Sequence, residues 1–307
     1  MQQRIASHLL VLVAIAFLLP VSTARSAEKA TQKPALATEE KPAELPWMDN
    51  YAKAMDLAKK ERKMLLVHFH DEKCAECSVI SNQLSSPKLR AKVEKYVLVR
   101  LPLGSSIQVN GKPVTLLNHA SFAELRNGPG LAVIDLASKG QPYYGRVVST
   151  VPTRPGKYFS FRPEQVAVLL ELPAGTLTQR SMIFAVRIHP ERPASAIGSA
   201  DPILTDEATS HSSHQAQIHV QGHHQWGSRF QRILGRLSGR KRVSPPSEVV
   251  AESWPNQDLM DSCVDCVYSW RQSSGHWSKV RAQNVAYGYD IRRGSNGIWY
   301  ATGIFAE

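Results

Sequence analysis

Apolar and polar positions fall into regular periods from Trp47 onward. Met48, Tyr51, Met55 and Ala58 recur at helical spacing, and "MLLVHFH" at 64–70 reads as a buried strand. Helical stretches are predicted near 75–85 and around 87–95, followed by the strand "YVLVRL" at 96–101. A helix near 118–126 leads into a strand at 131–136. "KGQPYYGRVVS" then reads as a turn with a returning strand, and "RPEQVAVLLEL" at 162–172 as a closing helix. The predicted order is helix, strand, helix, strand, helix, strand, strand, helix. Pro173-Ala-Gly marks a boundary, and helices are predicted at 176–188 and from 204 to about 220. The chain closes on "VAYGYDIRRGSNGIWYATGIF", two aromatic strand-like runs joined by a Gly-Ser-Asn-Gly turn.

Ahead of this pattern, residues 1–24 pair one early cation, Arg4, with an apolar run from Leu9 to Leu19 and end on the small residues Ser22 and Ala24. That is the pattern of a secretory signal peptide, cleaved after Ala24 or alternatively Ala27; an uncleaved anchor is the competing reading. Residues 25–46 are rich in Ala, Lys, Glu and Pro, lack an apolar period, and read as a disordered linker. No later segment is apolar over the length a bilayer requires. The expectation is an exported protein, periplasmic or extracellular, in a compartment where a disulfide persists.

At 307 residues the chain exceeds one small core, so two domains are expected, at 47–173 and 175–307. The formal net charge is +11, and loss of Arg4 with the leader leaves +10. Outside the cytoplasm this excess argues against nucleic acid as a partner. It fits an anionic envelope ligand, a membrane surface or acidic proteins, while plain solubility explains it equally well.

Chemistry enters at "DEKCAEC", residues 71–77. A Cys-x-x-Cys between a buried strand and a helix suits disulfide exchange: the helix N-terminus favours the thiolate of Cys74, and Cys77 sits one turn on to resolve a mixed disulfide. This stretch, with the element order over 47–172, resembles the thioredoxin family. The resemblance implies a cis-proline beside the redox pair, shaping substrate docking, and "NGPGLAVID" puts Pro129 there. Lys73 stands where the family has Trp, and Ala75-Glu76 where it has Gly-Pro. Lys73 favours a thiolate while Glu76 opposes it, so the redox direction stays open. The competing readings are a structural disulfide in a scaffold that only binds, and half a zinc site with His68 and His70, which share one strand face.

In the second half, "QGHHQWGSRF", "EVVAESWPNQ", "SWRQSSGHW" and the closing "GIWYATGIF" occur in an order that resembles the CAP superfamily, also called the SCP or cysteine-rich secretory protein family. The resemblance implies an α/β and α+β chain in which a thioredoxin-like fold is followed by an α-β-α sandwich with a cleft of histidines and acids. Carried over by position, the cleft residues are His223, with His224 as the alternative, Glu252 and His276. Ala251 and Ser253 depart from the family's neighbours of that glutamate. Glu248 is a more distant acidic candidate. Two imidazoles and a carboxylate could hold a divalent metal through His223 and His276, act as an acid-base pair for hydrolysis, or bind a lipid, glycan or peptide without turnover; no cofactor is required for the last.

Other features have plainer readings. The spacing of His211, His214 and His219 puts at least two of them on one exposed helical face, as surface residues or an adventitious metal site. Arg229, Arg232 and Arg236 alternate with Phe230, Ile233, Leu234 and Leu237, a basic amphipathic helix that either packs with a solvated basic face or lies on a membrane. Leu259, Cys263, Cys266 and Trp270 are spaced four, three and four apart and share one buried helix face, so Cys263 and Cys266 read as core packing or a local disulfide, apart from the chemistry at Cys74.

Overall fold

A computed structural model describes residues 44–239 and 245–306. The predicted signal peptide, nearly all of the linker and part of the basic loop after residue 239 lie outside the described residues.

The first half begins with α1 (Tyr51–Glu61), started by the Asn50 side chain accepting from Lys53 N and ended by Arg62 in the left-handed region. Then come β1 (Met64–His70), α2 (Ala75–Leu84), α3 (Arg90–Val93) and β2 (Tyr96–Pro102). A hairpin of β3 (Ser106–Val109) and β4 (Lys112–Thr115) follows, turning through Asn110 and Gly111 at φ 52° and 76°. The predicted helix near 118–126 is two 3₁₀ turns. β5 (Gly130–Ile134), β6 (Val147–Pro152) and α4 (Gln165–Leu170) complete this half. The sheet order is β2-β1-β5-β6, with β1 parallel to β2 and antiparallel to β5, and β5 antiparallel to β6. Alternation along β1 sends Leu65, Val67 and Phe69 to the α1 side, and Leu66 and His68 to the other. Both faces are therefore covered, which explains the unbroken apolar run in β1.

The second half runs α5 (Leu177–Ile188), β7 (Ser199–Ala200), α6 (Pro202–Ile218), α7 (Trp226–Leu237), β8 (Ser247–Glu252), α8 (Leu259–Gln272), α9 (Ser274–Arg281), β9 (Ala286–Arg293) and β10 (Trp299–Ala306). Its sheet order is β7-β9-β10-β8. Tyr287, Tyr289, Ile291, Ala301 and Phe305 face the side of α5 and α8, whereas Ile304 and Ala306 face α6 and α7. Helices thus lie on both faces of a mainly antiparallel sheet. The approach of α6 requires Gly288, since a Cβ there would sit 2.2 Å from the Leu204 carbonyl carbon.

Leu66, Ile80 and Val133 of the first half belong to the same buried cluster as Met182, Phe184, Cys263, Trp270 and Phe305 of the second. Polar ties reinforce that continuity. Arg126 donates to both oxygens of Asp258 at 2.7 and 3.0 Å, and Asp261 accepts the backbone N–H groups of Lys157, Tyr158 and Phe159 at 2.8 to 3.1 Å. Arg180 of α5, fully buried, donates to Ser149 Oγ at 2.7 Å and to the carbonyls of Leu172 and Pro173 at 3.1 and 2.6 Å.

The cysteine face of α8 is buried as its spacing predicts. Cys263 and Cys266 are free thiols at 0% exposure, and burial pushes both thiol pKa values well up. They act as small apolar side chains, not as a disulfide. The basic helix differs from a membrane-facing one: Arg229 is buried on Glu248, and Arg232 and Arg236 are paired to Glu207 and Asp206 of α6. No helix among the described residues is long and apolar enough to cross a membrane.

Candidate functional site

β1 carries the chain out of the core and releases it at Asp71, whose carboxylate and carbonyl accept from Lys73 N and Cys74 N. This turn sets Cys74 as the N-cap of α2, where its sulfur accepts from Cys77 N at 3.1 Å. Cys74 and Cys77 are joined in a disulfide with Cα atoms 5.3 Å apart. Their exposures differ: Cys74 is half-buried, whereas Cys77 is 6% exposed. Cys74 is therefore the more accessible residue of the pair. On reduction, the unpaired N–H groups at the start of α2 and the neighbouring Lys73 favour a thiolate at Cys74.

Beneath α2, on the same face of β1 as Leu66, His68 is 1% exposed, and neither ring nitrogen has a hydrogen-bond partner. Burial, with Arg100 and His70 adding to it, lowers its pKa to about 3, so the imidazole is neutral. Arg100 lies over the Trp47 ring at 4.6 Å and donates to Ser81 Oγ at 3.1 Å; that hydroxyl in turn donates to Cys77 O at 3.0 Å. This Trp47, Arg100 and Ser81 cluster links the sheet to the turn holding the resolving cysteine. Its sequence signal, a single Arg in an otherwise apolar strand, was not read. With the two sulfurs bonded to each other, His68 and His70 do not complete a zinc site; among the described residues no group of three or more His, Cys, Asp or Glu is placed to hold a metal.

Pro129 stands immediately before β5, as expected, but no cis peptide bond occurs among the described residues. The cis bond is therefore corrected to trans. The Pro129 carbonyl accepts from Thr153 N at 3.0 Å and Thr153 Oγ1 at 2.9 Å, which extends the β5–β6 pairing by one residue.

The second constellation forms at the β8 edge of the other sheet. His223 lies in the turn between α6 and α7, and His276 in the first turn of α9, whose N-cap is Ser273. Their Nε2 atoms are 3.3 Å apart. His223 Nδ1 is 2.9 Å from Glu248 Oε1, while Arg229 binds the other oxygen of that carboxylate. The carboxylate beside the histidines is thus Glu248 and not Glu252, which is a correction. Both project to one face of β8, but Glu252 ends the strand in solvent, and Glu248 is 8% exposed. The motif put the acid at the strand's end, whereas the histidines meet the acid near its beginning. Burial, then the adjacent His223, lowers the His276 pKa.

Of the upstream histidines His219 is exposed and His214 partly so, whereas His211 is buried. His211 is 2% exposed, donates Nε2–H to Gly222 O at 2.9 Å, and burial lowers its pKa to about 4. His224 meets Val220 O at 3.1 Å, and its ring lies 6.1 Å from that of His211. A helical face holding His211 is buried because α7 and its preceding turn fold back over α6.

A family model described as thioredoxin-like matches residues 46–121, the segment holding α1, β1, both reactive cysteines and β2. Residues 46–121 are thus thioredoxin-like, and the chain is of mixed α/β class. None of the curated proteins compared matches the chain. A crystal structure of a disulphide isomerase from Xylella fastidiosa Temecula1 is similar at 21% identity, covering 32% of this chain and 68% of that one, with a TM-score of 0.25.

Proposed function

We propose that the protein is an exported thiol–disulfide exchange protein acting on thiols or disulfides of envelope proteins. One observation carries the reading: a Cys74–Cys77 disulfide at the mouth of a thioredoxin-like sheet, with its first cysteine half-buried and its second buried. In the oxidised form, a substrate thiolate attacks Cys74 Sγ, the Cys74–Cys77 bond breaks, and Cys77 leaves as thiolate. A second substrate thiolate then attacks the substrate sulfur of the mixed disulfide and releases Cys74, so two substrate thiols become one disulfide while both cysteines are reduced. The reverse sequence reduces a substrate. The N-terminal signal pattern supports export to the periplasm or beyond.

The test is the equilibrium reduction potential of Cys74/Cys77 in glutathione buffers, read by mass mapping of trapped thiols. A reversible value between about −270 and −120 mV supports exchange; a bond resisting reduction below about −300 mV makes the first half a scaffold. Cys74→Ser should abolish exchange activity.

A second reading rests on His223 and His276. Two nitrogens bound at 2.0–2.1 Å to one tetrahedral ion stand about 3.3 Å apart, the separation of the two Nε2 atoms here. A divalent ion would be held by these two imidazoles, with Glu248 orienting His223 through Nδ1, and would supply Lewis acidity for hydrolysis. Without a metal, the same residues form a CAP-like cleft for an anionic envelope ligand, whether lipid, glycan or peptide. Tight zinc binding with hydrolytic activity lost on chelation distinguishes the hydrolase from the binding cleft.

A further inference from the structure

Under α2, His68 Nδ1, His68 Nε2 and Arg100 Nε are all buried without a hydrogen-bond partner. His68 and Arg100 are partners across β1 and β2. The Arg100 guanidinium is half-buried, and no carboxylate among the described residues pairs with it. A cation drawn partly out of water without a counter-charge is costly to the fold.

What this cation touches is the redox helix. One terminal nitrogen donates to Ser81 Oγ at 3.1 Å, and Ser81 Oγ donates to the Cys77 carbonyl at 3.0 Å. The two bonds keep that nitrogen within about 6 Å of the Cys77 carbonyl oxygen. The Trp47 ring, 4.6 Å from the guanidinium carbon, holds the group in place.

The spacing of the elements brings the Cys77 side chain to the same spot. Cys77, Ile80 and Leu84 are the buried residues of α2 and, three and four apart, share the face laid on the sheet. Leu98 of β2 belongs to one cluster with Ile80 and Leu84, and Arg100 follows two residues on, on the same strand face. One step outward from Ile80 and Leu98 on their two elements therefore lie Cys77 and Arg100. The acids of this turn gather elsewhere: Glu76 lies 3.9 Å from the Cys74 sulfur, and Asp71 and Glu72 act on His70.

We propose that Arg100 is a positioning residue for disulfide exchange, braced through Ser81 against the turn of Cys77 so that its charge stabilises the Cys77 thiolate. The inference rests on the exchange activity proposed above. When a substrate thiolate attacks Cys74 Sγ, a new sulfur–sulfur bond forms there, the Cys74–Cys77 bond breaks, and its electron pair goes to Cys77 Sγ. Cys77 is 6% exposed, so water solvates the departing sulfur poorly. A positive charge about 8–10 Å away, at an effective dielectric near 20, favours a thiolate at least about tenfold. A leaving thiol of lower pKa departs faster. The intact disulfide carries no charge, so the interaction strengthens only as the bond breaks.

The experiment compares the whole protein with Arg100→Met, which keeps the stem against Trp47, and with Arg100→Gln, which keeps a donor for Ser81; both remove the charge. Reduction of Cys74–Cys77 by excess glutathione at pH 7, read by mass mapping of trapped thiols, should be roughly three- to tenfold slower in both variants. In a Cys74→Ser background, where Cys77 is a free thiol, either change should raise the pH at which Cys77 titrates by about one, read from its Cβ chemical shift. Loss of packing alone would leave that titration where it is. Circular dichroism identifies the variant that folds, and either one suffices. A folded variant reduced as fast as wild type, or an unchanged Cys77 titration, would overturn the proposal and leave the exchange reading standing; a wild-type disulfide that glutathione never opens would overturn both.

Discussion

Replacing Arg180 by Ala tests how the two halves are joined. The guanidinium is fully buried, burial lowers its pKa, and its three hydrogen bonds reach Ser149 on β6 and the Leu172 and Pro173 carbonyls after α4. Truncation strands two buried carbonyls and a hydroxyl, each costing about 1–3 kcal/mol when left unpaired. Those costs overlap, and removal of a buried charge returns part of them, so the net loss should be about 3–5 kcal/mol. For a chain of this size that corresponds to a fall in Tm of roughly 5–9 °C. Arg180→Met keeps most of the volume and discards the charge, and should lose only about 2 kcal/mol. Urea unfolding followed by far-UV circular dichroism and by tryptophan fluorescence reads the difference. Because the buried cluster is continuous, both probes should shift together. A loss under about 1 kcal/mol for Arg180→Ala would refute the argument that these bonds clamp α5 to the first sheet.

Further outcomes follow from other positions. His68→Leu removes two unpartnered buried nitrogens and should stabilise the protein by about 1–2 kcal/mol at pH 7; destabilisation measured by urea melts would contradict the account. The folded pKa values of His68 and His211, lowered to about 3 and about 4, mean that the unfolded chain takes up protons first as pH falls below about 6.5. Stability from both groups is therefore present above pH 6.5 and lost as pH falls, by at most about 5 kcal/mol by pH 3 for His68 and about 3 kcal/mol by pH 4 for His211. His68→Leu should flatten that part of the profile. Glu248→Gln leaves Arg229 buried without its counter-charge and should cost about 3 kcal/mol, along with a rise in His276 accessibility to diethyl pyrocarbonate. Gly288→Ala forces α6 off β9 and should cost about 3 kcal/mol or abolish soluble expression.

Much of the first half was legible because its signals are local. The apolar run of β1 and the cysteine spacing after it need no knowledge of distant residues, and the helix face of Leu259, Cys263, Cys266 and Trp270 follows from periodicity alone. The β3–β4 hairpin escaped despite its Asn110-Gly111 turn, because its strands are short and mostly exposed and carry little apolar alternation. Glu248 was underweighted for a different reason: β8 presents two acids on one face, and only the fold-back of α7 determines which is enclosed. Likewise, the arginines of α7 announce a basic face but do not reveal that Glu207 and Asp206 lie opposite. Periodicity says that a face is covered; what covers it is decided by residues far along the chain.

The shared apolar cluster also affects how the protein is made. Translation at about 5–20 residues per second completes the chain roughly 12–46 s after Cys77 has been added. During that interval the sheet face destined for α5 has no cover, and the nascent thioredoxin-like half presents a sticky surface. Under the proposed export, the chain has to stay unfolded until it has crossed. Delayed completion of the core works in that direction, keeping Cys74 and Cys77 from being locked into place before the last strand arrives.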